Sequence, residues 1–152
     1  MDRLQKTNAL QERAMKSMPL GVNSNGRFWG KGCTPYFSRG KGSHMWDVDG
    51  NEYIDYRLGF GPVILGYAYD EVDNAVIEAL HSGVTPGITC EREVEVAEAV
   101  INMCPAVEMV RLVNTGSEAT MNAIRVARAY TRREKIIKLE GGYHGGYDYV
   151  LY

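Results

Sequence analysis

The last third of the chain follows a strand–turn–helix–strand pattern, which constrains the fold more than any other feature. Residues 108–114 form a short apolar run, 115–117 mark a turn, and 118–130 form an alanine-rich helical segment. A second apolar run, 136–139, leads into the glycine-rich stretch 141–146. Two strands separated by a helix at this spacing predict a βαβ unit with parallel strands and a right-handed crossover. We therefore predict an α/β fold.

The first part of the chain predicts different elements. Good helix formers fill residues 2–17, and Pro19 ends this helix. The glycine-rich stretch 21–42 predicts a loop. Two alternating segments then flank Asp49-Gly50, a dipeptide that favours a type I′ hairpin turn because both central residues of that turn need a positive φ.

Two amphipathic helices are predicted between the hairpin and the βαβ unit. The first begins at Asp70, which can cap it, and ends before Gly83; the second covers 91–103 and stops before Pro105. The apolar run 148–152 predicts the start of another strand. Because two buried strands and part of a third cannot complete a doubly covered sheet, we expect the sequence to be the leading piece of a larger protein.

Composition excludes several classes of partner. The formal net charge is −2, which gives no overall basic field for nucleic acid or an anionic membrane. No apolar run approaches the roughly 20 residues needed to span a bilayer. Three cysteines without a Cys-x-x-Cys pair argue against a disulfide framework or a zinc site, and the acidic residues of 91–98 lack an accompanying histidine. We expect a cytoplasmic protein that binds a small molecule and no metal.

The turn Thr115-Gly116-Ser117 is the strongest candidate binding site. The first amides of a helix have no partner within the helix, and together with the helix dipole and two hydroxyl groups they suit a phosphate. The alternative is an ordinary helix cap, in which a hydroxyl group only satisfies the backbone. The turn is neither a Walker A loop, since no lysine follows the glycine, nor a Gly-x-Ser-x-Gly nucleophile elbow.

The glycine-rich stretch 141–146 is a second candidate, at the same end of the next predicted strand. Glycines on both sides allow the backbone to approach a ligand and leave the rings of Tyr143 and His144 free. An aromatic ring beside a phosphate site suits a planar, heteroaromatic phosphate ester. The alternative is a flexible loop with a surface tyrosine, and His144 has no assigned role.

These motifs carry a resemblance to a known family. The sequence at 114–119, followed by 140–145, resembles the class III aminotransferases that use pyridoxal phosphate, and within them the glutamate-1-semialdehyde aminomutases. The stretches 21–24, 46–55 and 59–62 are similar to earlier landmarks of the same proteins, in the same order. The resemblance implies fold type I, with residues 1–60 in a small domain and 61–152 beginning a large, mostly parallel-sheet domain. It also implies a homodimer with shared active sites.

The resemblance assigns roles to particular residues. The cofactor phosphate would be held by Gly116 and Ser117 with Thr115 adjacent, and the ring of Tyr143 would stack on the pyridine ring. Substrate would be bound by residues of two earlier segments, namely Ser24, Arg27 and Phe60. Arg27 matches a position that helps to bind the substrate carboxylate, a task for which a planar guanidinium is suited; the alternative is a solvated loop charge.

Two departures from the aminomutase pattern bear on function. Asn25-Gly26 replaces Pro-Val, and Phe60 replaces Trp, so a transaminase of a β- or ω-amino acid is an alternative. The six lysines, the last of which is Lys138, all precede Tyr143, whereas the family's Schiff-base lysine follows it. The 152-residue chain alone is therefore expected to be inactive and the full-length protein active. An alternative of another class is a non-catalytic, truncated relative.

Overall fold

The structure, a computed structural model, describes residues 3–151. The chain divides into two compact units, Met1–Val84 and Thr85–Tyr152. The first contains a helix, a three-stranded sheet and a second helix: α1 (Gln5–Ala14), β1 (Phe37–Lys41), β2 (His44–Asp47), β3 (Glu52–Ile54) and α2 (Asp70–His81). The second contains the remaining helices: α3 (Glu91–Met103), α4 (Gly116–Thr131) and α5 (Asp148–Leu151). The domain boundary expected at residue 60 stays a prediction.

The predicted hairpin is present, but its turn differs from the prediction. The antiparallel sheet has the order β1-β2-β3, and β1 occupies the end of a stretch that the sequence assigned to a loop. Only Gly50 of the turn has a positive φ, 86°, so the type I′ turn is wrong. The amide of Asp47 donates instead to the carbonyl of Asn51 across a three-residue loop. The Asp47 carboxylate accepts from the amides of Asp49 and Asn51 and fixes this conformation.

Polar contacts hold α1 on the first unit. The helix is shorter than the predicted 2–17, and its buried residues are Thr7, Gln11 and Ala14. The carboxylate of Asp49 accepts from the amides of Lys6 and Thr7 at 2.7 and 2.8 Å, so the hairpin turn caps the helix from a distant part of the sequence. The expected apolar stripe is therefore replaced in large part by buried polar groups.

The three longer helices of the central and last regions agree closely with the sequence pattern. Helix α3 has the predicted bounds, and α4 begins two residues earlier than expected. The predicted cap of α2 is wrong: Tyr69 is its N-cap residue and no side chain caps the helix. Asp70 lies one residue inside, where its carboxylate binds the ammonium group of Lys41 at 2.8 Å.

The strands predicted in the second unit are absent from the described residues. The segments 108–114 and 136–139 have no strand hydrogen bonds, so the predicted βαβ pairing is wrong for residues 3–151. The reason is that a strand requires a neighbour, and these apolar segments pair neither with each other nor with another described segment. Of the run 148–152, residues 148–151 form the short helix α5 instead of a strand, and Tyr152 lies outside the described residues. No helix within residues 3–151 has the length and apolar character to span a membrane.

Candidate functional site

The amino terminus of α4 is the first part of the candidate site. Thr115 is the N-cap residue, and its hydroxyl oxygen accepts from the amide of Glu118 at 3.1 Å. The Glu118 carboxylate in turn accepts from the amide of Asn114 at 2.8 Å. This arrangement resembles a capping box and confirms the capping interpretation for Thr115. The amides of Gly116 and Ser117 are the first two of the helix, and neither has a partner among the described residues.

The glycine-rich stretch lies against the start of the same helix. The hydroxyl oxygen of Ser117 accepts from the amide of Gly146 at 3.0 Å, and the hydroxyl of Thr120 donates to the carbonyl of His144 at 2.7 Å. Gly145 is buried, and a Cβ there would lie 3.1 Å from the Thr120 hydroxyl oxygen. The two turns that the sequence singled out are therefore brought together. Ser117 keeps its hydroxyl proton, which it can donate to an anion.

Tyr143 and His144 point in different directions from this loop. The Tyr143 side chain is 81% exposed, and its hydroxyl lies 3.5 Å from where a Cβ on Gly146 would be. Its ring is thus free to stack on a planar ligand. The Nε2 atom of His144 is buried without a hydrogen-bond partner in the described residues, and a Cβ on Gly142 would approach it to 2.8 Å. Only glycine fits at that position without a shift of the imidazole.

A separate cavity lies entirely within the first unit. Its volume is about 510 Å³, and two of the three predicted substrate residues, Arg27 and Phe60, line it. The third, Ser24, lies nearby. A Cβ placed on Gly26 would lie 3.8 Å from the Ser24 hydroxyl oxygen and 3.4 Å from the Phe60 ring. The structure therefore groups Ser24, Arg27 and Phe60 around Gly26. Aromatic side chains form much of the remaining wall: Trp29, Tyr36, Phe37 and Tyr67.

The sequence analysis missed the residues that organise this cavity. Asp55 is 6% exposed, and its carboxylate accepts from the amides of Arg57 and Leu58 and from the Tyr67 hydroxyl. Burial raises the pKa of Asp55, but the hydrogen bonds from Tyr67 and the two amides, and the Arg57 charge, lower that pKa to below its ordinary value. The carboxylate is therefore ionised at neutral pH.

A strained backbone segment follows this carboxylate. Leu58, Gly59, Phe60 and Gly61 all have positive φ, between 51° and 120°. Left-handed backbone at Leu58 and Phe60 is unfavourable, and such strain is concentrated at functional sites. The amides of Arg57 and Leu58 donate to the Asp55 carboxylate, which holds the beginning of the segment and so fixes the Phe60 ring in the cavity wall. The signal available in the sequence was the pair of glycines around Phe60, which permits such a turn.

Comparison with known proteins places these features in a family context. Residues 30–151 match the family model described as aminotransferase class-III. The glutamate-1-semialdehyde 2,1-aminomutase of Sulfurihydrogenibium azorense is 51% identical over 148 residues, which cover 96% of this chain and 35% of that protein. The chain therefore spans about a third of the length of the curated relatives it matches.

Solved structures also match most of the chain. A structure described as a transaminase with PLP bound superimposes with a TM-score of 0.89 at 40% identity, covering 96% of this chain and 34% of that one. The structure of an omega-transaminase from Sphaerobacter thermophilus has a TM-score of 0.87 at 38% identity, and the match covers 93% of this chain and 32% of the omega-transaminase chain.

Proposed function

The chain belongs to the class-III aminotransferase family, and on this premise we propose that it is the amino-terminal part of a pyridoxal-phosphate enzyme that transfers an amino group. It shares the α/β fold of the fold type I transferases with the structures it matches. The favoured activity of the full-length protein is that of an aminomutase similar to the glutamate-1-semialdehyde enzymes, because about half of the aligned residues are identical to those of proteins with that name.

The start of α4 fits the phosphate of this cofactor. The amides of Gly116 and Ser117 have no partner among residues 3–151, and the Ser117 hydroxyl proton is available beside them. The positive end of the helix dipole favours an anion at this point. Thr115, by contrast, is occupied in capping, so its contribution is to hold the two amides in place. This pair of amides is the observation on which the proposal rests.

Tyr143 fits the aromatic part of the cofactor. It extends from the loop that Ser117 and Thr120 hold against α4, so its exposed ring is in the same unit as the phosphate site. A tyrosine ring stacks favourably on a flat heteroaromatic ring. When bound, pyridoxal phosphate supplies an aldehyde that accepts the substrate amino group and a ring that withdraws electrons. The protein's own residues supply the anchor and the orientation.

The substrate side of the proposal concerns the cavity of the first unit. Arg27 would pair with a carboxylate of a small amino acid or amino aldehyde, with Ser24 as a hydrogen-bonding neighbour and Phe60 as an apolar wall. We also propose a cytoplasmic homodimer whose active sites are shared between subunits. An alternative activity is transamination of a β- or ω-amino acid with a keto acid, which the likeness to an omega-transaminase favours.

The lysine required for covalent attachment of the cofactor would lie outside these 152 residues. Lys41 binds Asp70 and the carbonyl of Ala68, and Lys138 donates to the carbonyl of Val150. Both ammonium groups therefore have structural partners. We propose that the full-length protein is active and that this chain alone is inactive, and the remaining alternative is a non-catalytic relative.

The visible absorbance of the full-length protein tests the proposal. Purified full-length protein should absorb in the visible range because of bound pyridoxal phosphate, and borohydride should remove that absorbance. Residues 1–152 expressed alone should not show a borohydride-sensitive band. A full-length preparation that stays colourless after addition of pyridoxal phosphate would contradict the proposed function.

A further inference from the structure

Arg57 lines the proposed substrate cavity, and neither the sequence motifs nor the proposed function gives it a role. Its guanidinium donates to the carbonyl of Gly26. The same group lies 5.1 Å from the centre of the Phe60 ring and 5.7 Å from that of Trp29. One side chain thus contacts the turn before Arg27 and two aromatic walls of the cavity.

The contact with Gly26 acts on the backbone next to Arg27. Asn25–Arg27 is a single 3-10 turn, and the Ser24 side chain makes no cap hydrogen bond with it. Such a short turn has little stability of its own. The bond from Arg57 is therefore a tertiary contact that restrains this turn at Gly26, one residue before Arg27. Arg57 itself is restrained, because its amide donates to the buried Asp55 carboxylate at 2.7 Å.

The charges that line the cavity indicate which kind of ligand it favours. Arg27, Arg57 and Asp55 are its charged lining residues within the described part of the chain. The carboxylate of Asp55 accepts three hydrogen bonds, from two amides and a hydroxyl. Two positive side chains against one negative side chain leave the lining net positive, which favours a ligand with a carboxylate group. The aromatic walls suit a ligand with an apolar body.

We propose that Arg57 is a positioning residue that fixes Arg27 through the Gly26 carbonyl and so makes the cavity selective for carboxylates. The proposal rests on the proposed carboxylate-binding role of Arg27. In this proposal Arg57 does not bind the substrate itself. Its effect on the selectivity for carboxylates therefore requires Arg27 to be present.

Ligand binding to the full-length holoenzyme tests this without turnover. The probes are 3-phenylpropanoate and its uncharged partner 3-phenylpropan-1-ol, titrated by calorimetry. The wild-type protein should prefer the carboxylate, and Arg57→Met should reduce that preference about tenfold, since a charge-assisted interaction is lost or misplaced. Methionine keeps an apolar stem against the aromatic walls. Arg57→Lys, which retains a donor and a charge, should keep most of the preference.

Two comparisons separate positioning from other roles. Arg13→Met, at an exposed arginine of α1 outside the cavity, should leave the preference unchanged. In an Arg27→Ala background, Arg57→Met should have little further effect, because residues that act through one another are not additive. The proposal would be overturned if the two substitutions reduced the carboxylate preference additively, or if Arg57→Met weakened the binding of both probes equally. It would also be overturned if the wild-type protein showed no preference for the carboxylate. The proposed function fails separately, through the absence of cofactor absorbance.

Discussion

Replacement of Ser117 by alanine tests the phosphate site at its most informative atom. The Ser117 hydroxyl oxygen accepts from the Gly146 amide at 3.0 Å, which leaves the hydroxyl proton for the phosphate. A hydrogen bond to a charged group is worth about 1.5–3 kcal/mol, and each 1.4 kcal/mol corresponds to about tenfold in affinity. Ser117→Ala in the full-length protein should therefore raise the dissociation constant of pyridoxal phosphate about 10- to 150-fold.

The assay is a titration of the cofactor-free protein with pyridoxal phosphate, followed by absorbance. Thr131→Ala is a matched control, because that variant removes a hydroxyl from the other end of α4, where it donates to the carbonyl of Ala127. The control should bind the cofactor as the wild type does. If Ser117→Ala changed the dissociation constant less than twofold, the Ser117 hydroxyl would not contact the phosphate.

Two further predictions concern the stability of the first unit. Gly40→Ala should destabilise the full-length protein by about 1–3 kcal/mol in urea unfolding, because the new Cβ would lie 2.4 Å from the Tyr67 ring. Gly87→Ala is the control, because a Cβ there meets nothing within 4 Å. Equal losses of stability in the two variants would contradict the close packing of Gly40 against Tyr67. Acid should also destabilise the folded protein, because folding lowers the pKa of Asp47 and of Asp55. These two carboxylates contribute to the free energy of unfolding above the unfolded pKa of about 3.9, and the contribution is lost as the pH falls through their pKa values in the folded protein. Asp47→Asn should flatten this pH dependence of stability on the acid side of about pH 5, and an unchanged slope would refute the prediction.

The causes of the acid effect lie in hydrogen bonding within the hairpin. Burial raises the pKa of Asp47, but the hydrogen bonds from the side chains of Asn51 and Tyr53 and from two backbone amides outweigh burial and lower the pKa. The carboxylate is 3% exposed and closes the turn described above. Its ionised form therefore stabilises the hairpin conformation that also places Asp49 at the start of α1.

Local sequence patterns predicted α2, α3 and α4 well because the signals for these helices are local. Helix α3 follows from apolar periodicity, acidic residues in its first turn and Pro105 after its end, all of which act within a few residues. The same holds for α4, whose capping residues are adjacent to it. The two turns of the proposed cofactor site were also predictable as turns, since each is marked by its own glycines and polar residues.

Features that depend on distant residues were not predictable in the same way. The burial of Thr7 and Gln11 depends on partners more than 15 residues away, and apolar periodicity does not detect polar groups that are paired in the interior. Strands at 108–114 and 136–139 were predicted from apolar content, but a strand is defined by its neighbour. The role of Arg57 likewise appears only when the fold brings it to Gly26.

A comparison of pyridoxal phosphate with pyridoxal tests the central claim most directly. The two compounds differ only in the phosphate group, which the account places at the unpaired amides of Gly116 and Ser117. The cofactor-free, full-length protein should bind pyridoxal phosphate at least about 100-fold more tightly than pyridoxal, because several charge-assisted hydrogen bonds are lost with the phosphate. Equal dissociation constants for the two compounds would contradict a phosphate site at the start of α4.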